Sequence, residues 1–130
     1  MKYKDLFHMA VKASEKAYCR YSGFHVGAVL LSDDGRIFTG CNIENVSYSL
    51  TICAERTAVF KAVSEGVTNF QAIAVAGSKD DDFSNPCFPC GACLQVLSQF
   101  CGKDFPVILS DGVHKLSDFL PHGFSEENIK

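Results

Sequence analysis

The sequence predicts a layered α/β domain: a five-stranded sheet with helices packed on it and its last two strands antiparallel. Three observations predict it. Helical and strand-like segments follow one another as αββαβαββ. Asp-Gly turn signals at 34–35 and 111–112 join flanking apolar runs into hairpins. No repeat, low-complexity run or linker divides the 130 residues, a length typical of one domain (1–130) with its own core.

Each element has its own signal. From Asp5 to Tyr18 the residues Leu6, Met9, Ala10, Ala13 and Ala17 fall at helical spacing, and Gly23 breaks the chain beyond it. Val26 to Leu31 and Arg36 to Ile43 form the first hairpin. Thr51 to Glu65 reads as a helix whose one side is traced by Ala54, Ala58, the Lys61 stem, Ala62 and Glu65. Val59, Phe60 and Val63 add apolar surface, and Gly66 is the C-cap. Phe70 to Ala76 is an apolar strand, and Gly77 to Pro89, with three aspartates and two prolines, is a loop. Gly91 to Phe100 is a third helix. The strands Phe105 to Leu109 and Val113 to Leu116 are three residues apart, too few for a crossover, so they pair antiparallel.

Composition narrows the function. Hydrophobic residues make up 47% of the chain and charged ones 21%, which fits a globular protein rather than a disordered one. A formal net charge of −3 provides no basic face for a nucleic acid, so small molecules are the expected substrates. No apolar run approaches the roughly 18 residues of a membrane span, and the N-terminal residues lead into an amphipathic segment rather than an apolar signal core. Seven cysteines, an odd number without a secretion signal, argue against a disulfide framework and for metal or catalysis in a reducing cytoplasm.

Those cysteines cluster at helix starts. Cys53-Ala54-Glu55 opens the second helix and Pro89-Cys90-Gly91-Ala92-Cys93 the third, where free amides and the helix dipole favour thiolate. Two such termini facing each other bring three sulfurs around one ion. Zinc suits thiolates, and three ligands leave a fourth position for water, whose pKa coordination lowers toward neutrality. Glu55, two residues past Cys53, is close enough to move protons there without being a ligand. Spacing alone also admits a closed four-cysteine structural zinc site that recruits Cys87 in a non-enzymatic protein, or a redox dithiol. Three thiolates on Zn²⁺ leave a net negative site, and Arg56 is the nearest cation to offset it.

Together these motifs resemble the zinc nucleoside and nucleobase deaminases, and more closely the small homotetrameric cytidine deaminases. The likeness runs through Tyr21-Ser22-Gly23-Phe24-His25-Val26-Gly27-Ala28, Gly40-Cys41-Asn42-Ile43-Glu44-Asn45, Cys53-Ala54-Glu55-Arg56-Thr57-Ala58, Pro89-Cys90-Gly91-Ala92-Cys93 and Leu120-Pro121, nearly the whole chain. It implies the three-layer cytidine-deaminase-like fold with a mixed sheet, and one Zn²⁺ per subunit on Cys53, Cys90 and Cys93, with Cys87 a bystander. Glu55 then matches the general acid/base, and Asn42 and Glu44 the pair that hydrogen-bonds the ribose. Phe24 matches an aromatic beside the pyrimidine, the Ala54 backbone a reader of the base edge, and Phe124 a C-terminal aromatic that reaches a neighbouring subunit's site.

The implied reaction is hydrolytic deamination of cytidine and deoxycytidine to the uridine products and ammonia, as in pyrimidine salvage. The implied assembly is a homotetramer with sites at subunit interfaces, and neither nucleic acid nor membrane is a partner. A deaminase of another aminopyrimidine compound such as blasticidin S is the neighbouring alternative. One departure stands out: the family usually carries Arg where this chain has Leu94. Cys19, Cys41 and Cys101 read as small core residues, the four histidines lack ligand spacing, and Asp80 to Asp82 reads as a solvated loop.

Overall fold

Alternation along the strands sorts the apolar residues onto two faces of one sheet. The computed structural model describes residues 1–130. Its elements are α1 (Tyr3–Ala13), β1 (His25–Ser32), β2 (Ile37–Cys41), α2 (Ala54–Ser64), β3 (Phe70–Ser78), α3 (Gly91–Phe100), β4 (Pro106–Leu109), β5 (Gly112–Lys115) and α4 (Leu116–Phe119). The five strands lie in the order β2-β1-β3-β4-β5. Only β3 and β4, joined through α3, run parallel; the other neighbours are antiparallel, β4 and β5 among them. The mixed five-stranded sheet matches the expectation.

One face carries Val29, Leu31, Ala72, Ala74, Ala76 and Ile108, and α1 covers it with Leu6 and Ala10. The opposite face carries Ala28, Leu30, Phe38, Ile73, Val75, Val107 and Leu109, covered by Ala54, Ala58, Val59 and Ala62 of α2 and Leu94 and Leu97 of α3. Helix, sheet and helices form three layers, stabilised chiefly by burial of these side chains.

Two glycines set how closely the helices approach. A Cβ on Gly27 would lie 2.0 Å from the Ala10 carbonyl oxygen and 2.5 Å from the Ser14 amide. A Cβ on Gly40 would lie 2.3 Å from the Ala54 carbonyl oxygen and 2.6 Å from the Ala58 amide. Bare backbone at these positions lets α1 rest on β1 and the first turn of α2 rest on β2.

The structure shifts several boundaries. The first helix ends at Ala13 and tightens into a 3₁₀ turn over Ser14–Lys16, with the Ser14 hydroxyl bonded back to the Val11 carbonyl. The second begins at Ala54 rather than Thr51, because Ile52 pairs with Ile43 as an extended bridge and Cys53 is the N-cap. Its buried residues are Ala54, Glu55, Ala58, Val59 and Ala62; Lys61, Glu65 and Phe60 lie outside that stripe. The last strand stops at Lys115, and Leu116 opens the short α4, whose start is held by the Lys115 amide donating to Asp118 Oδ2 at 2.9 Å. No helix is long and apolar enough to cross a membrane.

Candidate active site

Two helix starts meet on the α2/α3 face. Cys53 caps α2 and Cys90 caps α3, each with extended backbone, and Cys93 sits in the first turn of α3. The Cys53 and Cys90 sulfurs are 3.6 Å apart, and those of Cys90 and Cys93 3.4 Å. A tetrahedral zinc with sulfurs at about 2.3 Å sets its ligand sulfurs about 3.8 Å from one another. The three thiols therefore fit one zinc ion. All three sulfurs lie within 4.8 Å of one another, and Cys87 is not among them. The closed four-thiolate arrangement is not formed. Cys87 instead forms part of the adjoining wall, and burial pushes its thiol up to about 11.

The surroundings favour thiolate at Cys53, while the hydrogen bond to Cys53 and burial push the Cys93 thiol up. Hydrogen bonding from Cys93, with further donation from Arg56, lowers the Cys53 pKa to about 5. The Arg56 Nη2 donates to Cys53 Sγ at 3.5 Å. Leu94 is 4% exposed and belongs to the hydrophobic core, so that position supplies no charge to the cluster.

Glu55 is the unusual group. It is 3% exposed, and its Oε1 has no hydrogen-bond partner. Burial, more than any nearby charge, raises its carboxyl to about 7. A buried carboxyl oxygen without a partner is costly and rare unless something absent from the bare chain completes it. Its neighbours are the sulfur cluster and a cavity of about 220 Å³ lined by Phe24, Val26, Asn42, Thr51, Cys53, Ala54, Glu55, Cys87, Phe88 and Cys90.

That cavity gathers Phe24, Asn42 and Ala54 with the cysteines and Glu55. Strand parity explains much of it: Val26 continues the α2/α3 face of β1, and Asn42 follows Phe38 and Gly40 on the same side of β2. At the end of β3, a Cβ on Gly77 would lie 2.7 Å from Cys87 Sγ and 3.0 Å from the Phe24 ring, so glycine there lets both walls close. Phe88, 57% exposed and packed against the tilted Phe119 ring at 5.7 Å, is a wall residue the sequence reading missed. Its signal was an aromatic between Pro86-Cys87 and Pro89-Cys90, in a segment read only as loop.

Asn42 and Glu44 do not share a strand, since β2 ends at Cys41. Asn42 is buried, accepting from the Val26 amide at 2.9 Å and donating to the Phe24 carbonyl at 2.8 Å. Glu44 lies in a neighbouring depression with Tyr21, Ser22, Tyr48 and Thr51, and Thr51 borders both spaces. Phe124 is outside its own chain's cavity and 63% exposed; Gln95 of α3 holds it by bonding its amide at 3.1 Å and its carbonyl at 2.7 Å. A larger depression of about 640 Å³ runs along this C-terminal segment but contains none of the metal-ligating cysteines.

Comparison with known proteins agrees with this geometry. The family model described as the cytidine and deoxycytidylate deaminase zinc-binding region matches residues 1–109. A cytidine deaminase of Sporosarcina psychrophila is 47% identical over 134 aligned positions, covering 99% of this chain and 96% of that protein. The crystal structure of a cytidine deaminase from Burkholderia pseudomallei superposes with a TM-score of 0.85 at 43% identity, covering 95% of this chain and 100% of that one. A blasticidin-S deaminase of Bacillus cereus is more distant, 32% identical with 77% of this chain and 76% of that protein covered. With matches of this extent, the chain belongs to the cytidine and deoxycytidylate deaminase family.

Proposed function

We propose that this chain hydrolyses the exocyclic amine of cytidine and deoxycytidine, releasing ammonia and the uridine products. The observation that carries the reading is the buried, unpartnered Glu55 carboxyl beside three zinc-spaced thiols at the floor of an aromatic-walled cavity. Zinc held by Cys53, Cys90 and Cys93 supplies a Lewis acid that makes water nucleophilic at neutral pH.

The chain's own residues do the rest. Glu55, buried beside the sulfurs with its Oε1 free of partners, serves as base and then as acid. Glu55 takes a proton from the attacking water and passes it to the ring nitrogen beside carbon 4. The water oxygen bonds to carbon 4. Glu55 takes the second proton from the new hydroxyl and delivers it to the amine, and the carbon–nitrogen bond breaks to release ammonia and leave the carbonyl. Phe24 and Phe88 pack against the ring and help exclude bulk water, and the Ala54 backbone reads the base edge. Arg56 offsets the negative charge of the sulfur cluster through Cys53.

At the sugar end, Asn42 keeps one N–H and one lone pair beyond its bonds to Phe24 and Val26. Glu44, one opening along the same wall, takes the other hydroxyl contact. The assembly is a homotetramer in which Phe124, exposed on its Gln95 support, enters a neighbour's site. Exposed Val46, Tyr48 and Leu50, in the segment between Glu44 and Thr51, suit burial in such an interface. All seven cysteines are unpaired, which suits a reducing cytoplasm and a role in nucleoside salvage.

The test is ultraviolet-monitored turnover of cytidine, free cytosine and blasticidin S by the zinc protein and Glu44→Ala. Cytidine should be the preferred substrate, with KM raised about tenfold or more in Glu44→Ala. An unchanged KM would remove Glu44 from sugar recognition, and faster turnover of blasticidin S would favour the other aminopyrimidine reading.

A further inference from the structure

The segment carrying Phe24 is tied to Glu44 by a hydrogen-bonded chain through Ser22. Glu44 Oε1 accepts the Tyr21 amide at 3.0 Å and the Ser22 amide at 3.1 Å, and Oε2 accepts the Ser22 hydroxyl. The Ser22 oxygen in turn accepts the Phe24 amide at 2.9 Å. Gly23, between them, has φ +70°, the left-handed conformation that turns the chain back within this short span. On the other side of Phe24, its carbonyl accepts from Asn42. Both polar backbone groups of Phe24 are thus bonded to side chains, the carbonyl to Asn42 and the amide to Ser22, which is in turn bonded to Glu44.

The donor and acceptor count gives this arrangement a use. A hydroxyl has one proton and two lone pairs, so Ser22 can donate to Glu44 while accepting from Phe24. A carboxylate offers about four acceptor positions, and three on Glu44 are taken by the segment itself. The remaining position is available to a sugar hydroxyl. We infer that Ser22 is a positioning residue that couples the sugar-binding carboxylate of Glu44 to the base-packing ring of Phe24, so that the sugar and base ends of the cavity are set together. The inference rests on the assignments of Glu44 and Phe24 made under the proposed function. Consistent with the chain of bonds, the Ser22 hydroxyl bond is the largest influence lowering the Glu44 pKa.

Two measurements on the full-length zinc protein test it. Ser22→Ala should speed hydrogen exchange at the Phe24 amide and raise the KM for cytidine, each about tenfold, with kcat within about twofold of wild type. Ser22→Thr, which keeps the hydroxyl at an exposed position, should restore both. In a Glu44→Ala background, Ser22→Ala should add less than about twofold to KM, because both act through one network. Unchanged Phe24 exchange in Ser22→Ala would overturn the relay. Faster exchange with unchanged KM, or effects of the two substitutions that multiply in full, would overturn its part in substrate binding. A wild-type protein that bound zinc but did not turn over cytidine would overturn the substrate reading, and the exchange result separates that failure from a failure of the relay.

Discussion

The two faces of the sheet are built alike but bear different loads. The α1 face is sealed by apolar side chains from Leu6 to Ile108, with Gly27 letting the helix settle on β1. The α2/α3 face has the same layering and its own close-approach glycine, Gly40, but its rim holds a buried carboxyl with an orphan oxygen, three crowded thiols and a cavity. One face supplies stability, and its buried Ser14 hydroxyl is satisfied within the chain by the Val11 carbonyl. The other uses a comparable core to hold groups that would not remain in those positions unaided. Polar side chains at a site need a rigid frame, and here the frame is the first turns of two helices docked on a sheet.

That contrast can be broken most severely at the sulfurs. Cys93→Ser should abolish zinc binding and lower cytidine turnover by about 10⁴-fold or more, as read by metal analysis and ultraviolet assay of the same preparation. Retained zinc would mean that the cluster is not the metal site. The paired glycines sharpen the comparison. Gly27→Ala and Gly40→Ala should each destabilise the fold by about 1–3 kcal/mol or more, because the new methyl meets helix backbone. Denaturant unfolding measures that loss, and zinc affinity should fall only in Gly40→Ala, whose helix carries Cys53 and Glu55. Equal loss of zinc affinity in both would mean that the faces are not separable.

The smallest effect belongs to Cys87. Since its sulfur lies outside the cluster, Cys87→Ser should keep one zinc per chain and stay within about threefold of wild-type turnover. Loss of zinc would restore the four-thiolate arrangement.

Local signals were legible wherever local chemistry decides. Gly91–Phe100 appears with the bounds its sequence indicates, because the proline-rich loop and Cys90-Gly91 stop the preceding chain from being helical. The two hairpins follow from their Asp-Gly turns. The helix reading of Thr51 failed because Ile52 pairs with Ile43, a contact invisible to helical periodicity. For Cys87 and Cys90, spacing offers two overlapping Cys-x-x-Cys pairs, and only packing decides which sulfurs meet. Asn42 and Glu44 were legible as polar residues near the site. That both also fasten the Phe24 segment depends on backbone amides brought over from residues 21 to 26, which no spacing rule reveals.

The central claim is that Glu55 moves protons beside a zinc it does not hold. Glu55→Gln keeps the shape of the buried side chain and removes only its ability to ionise. The measurement is zinc content and cytidine turnover on one preparation of that variant. The account predicts one zinc per chain with kcat reduced by about 10²–10⁴-fold. Zinc lost along with activity would make Glu55 a ligand, and zinc retained with near wild-type turnover would place the proton transfer elsewhere.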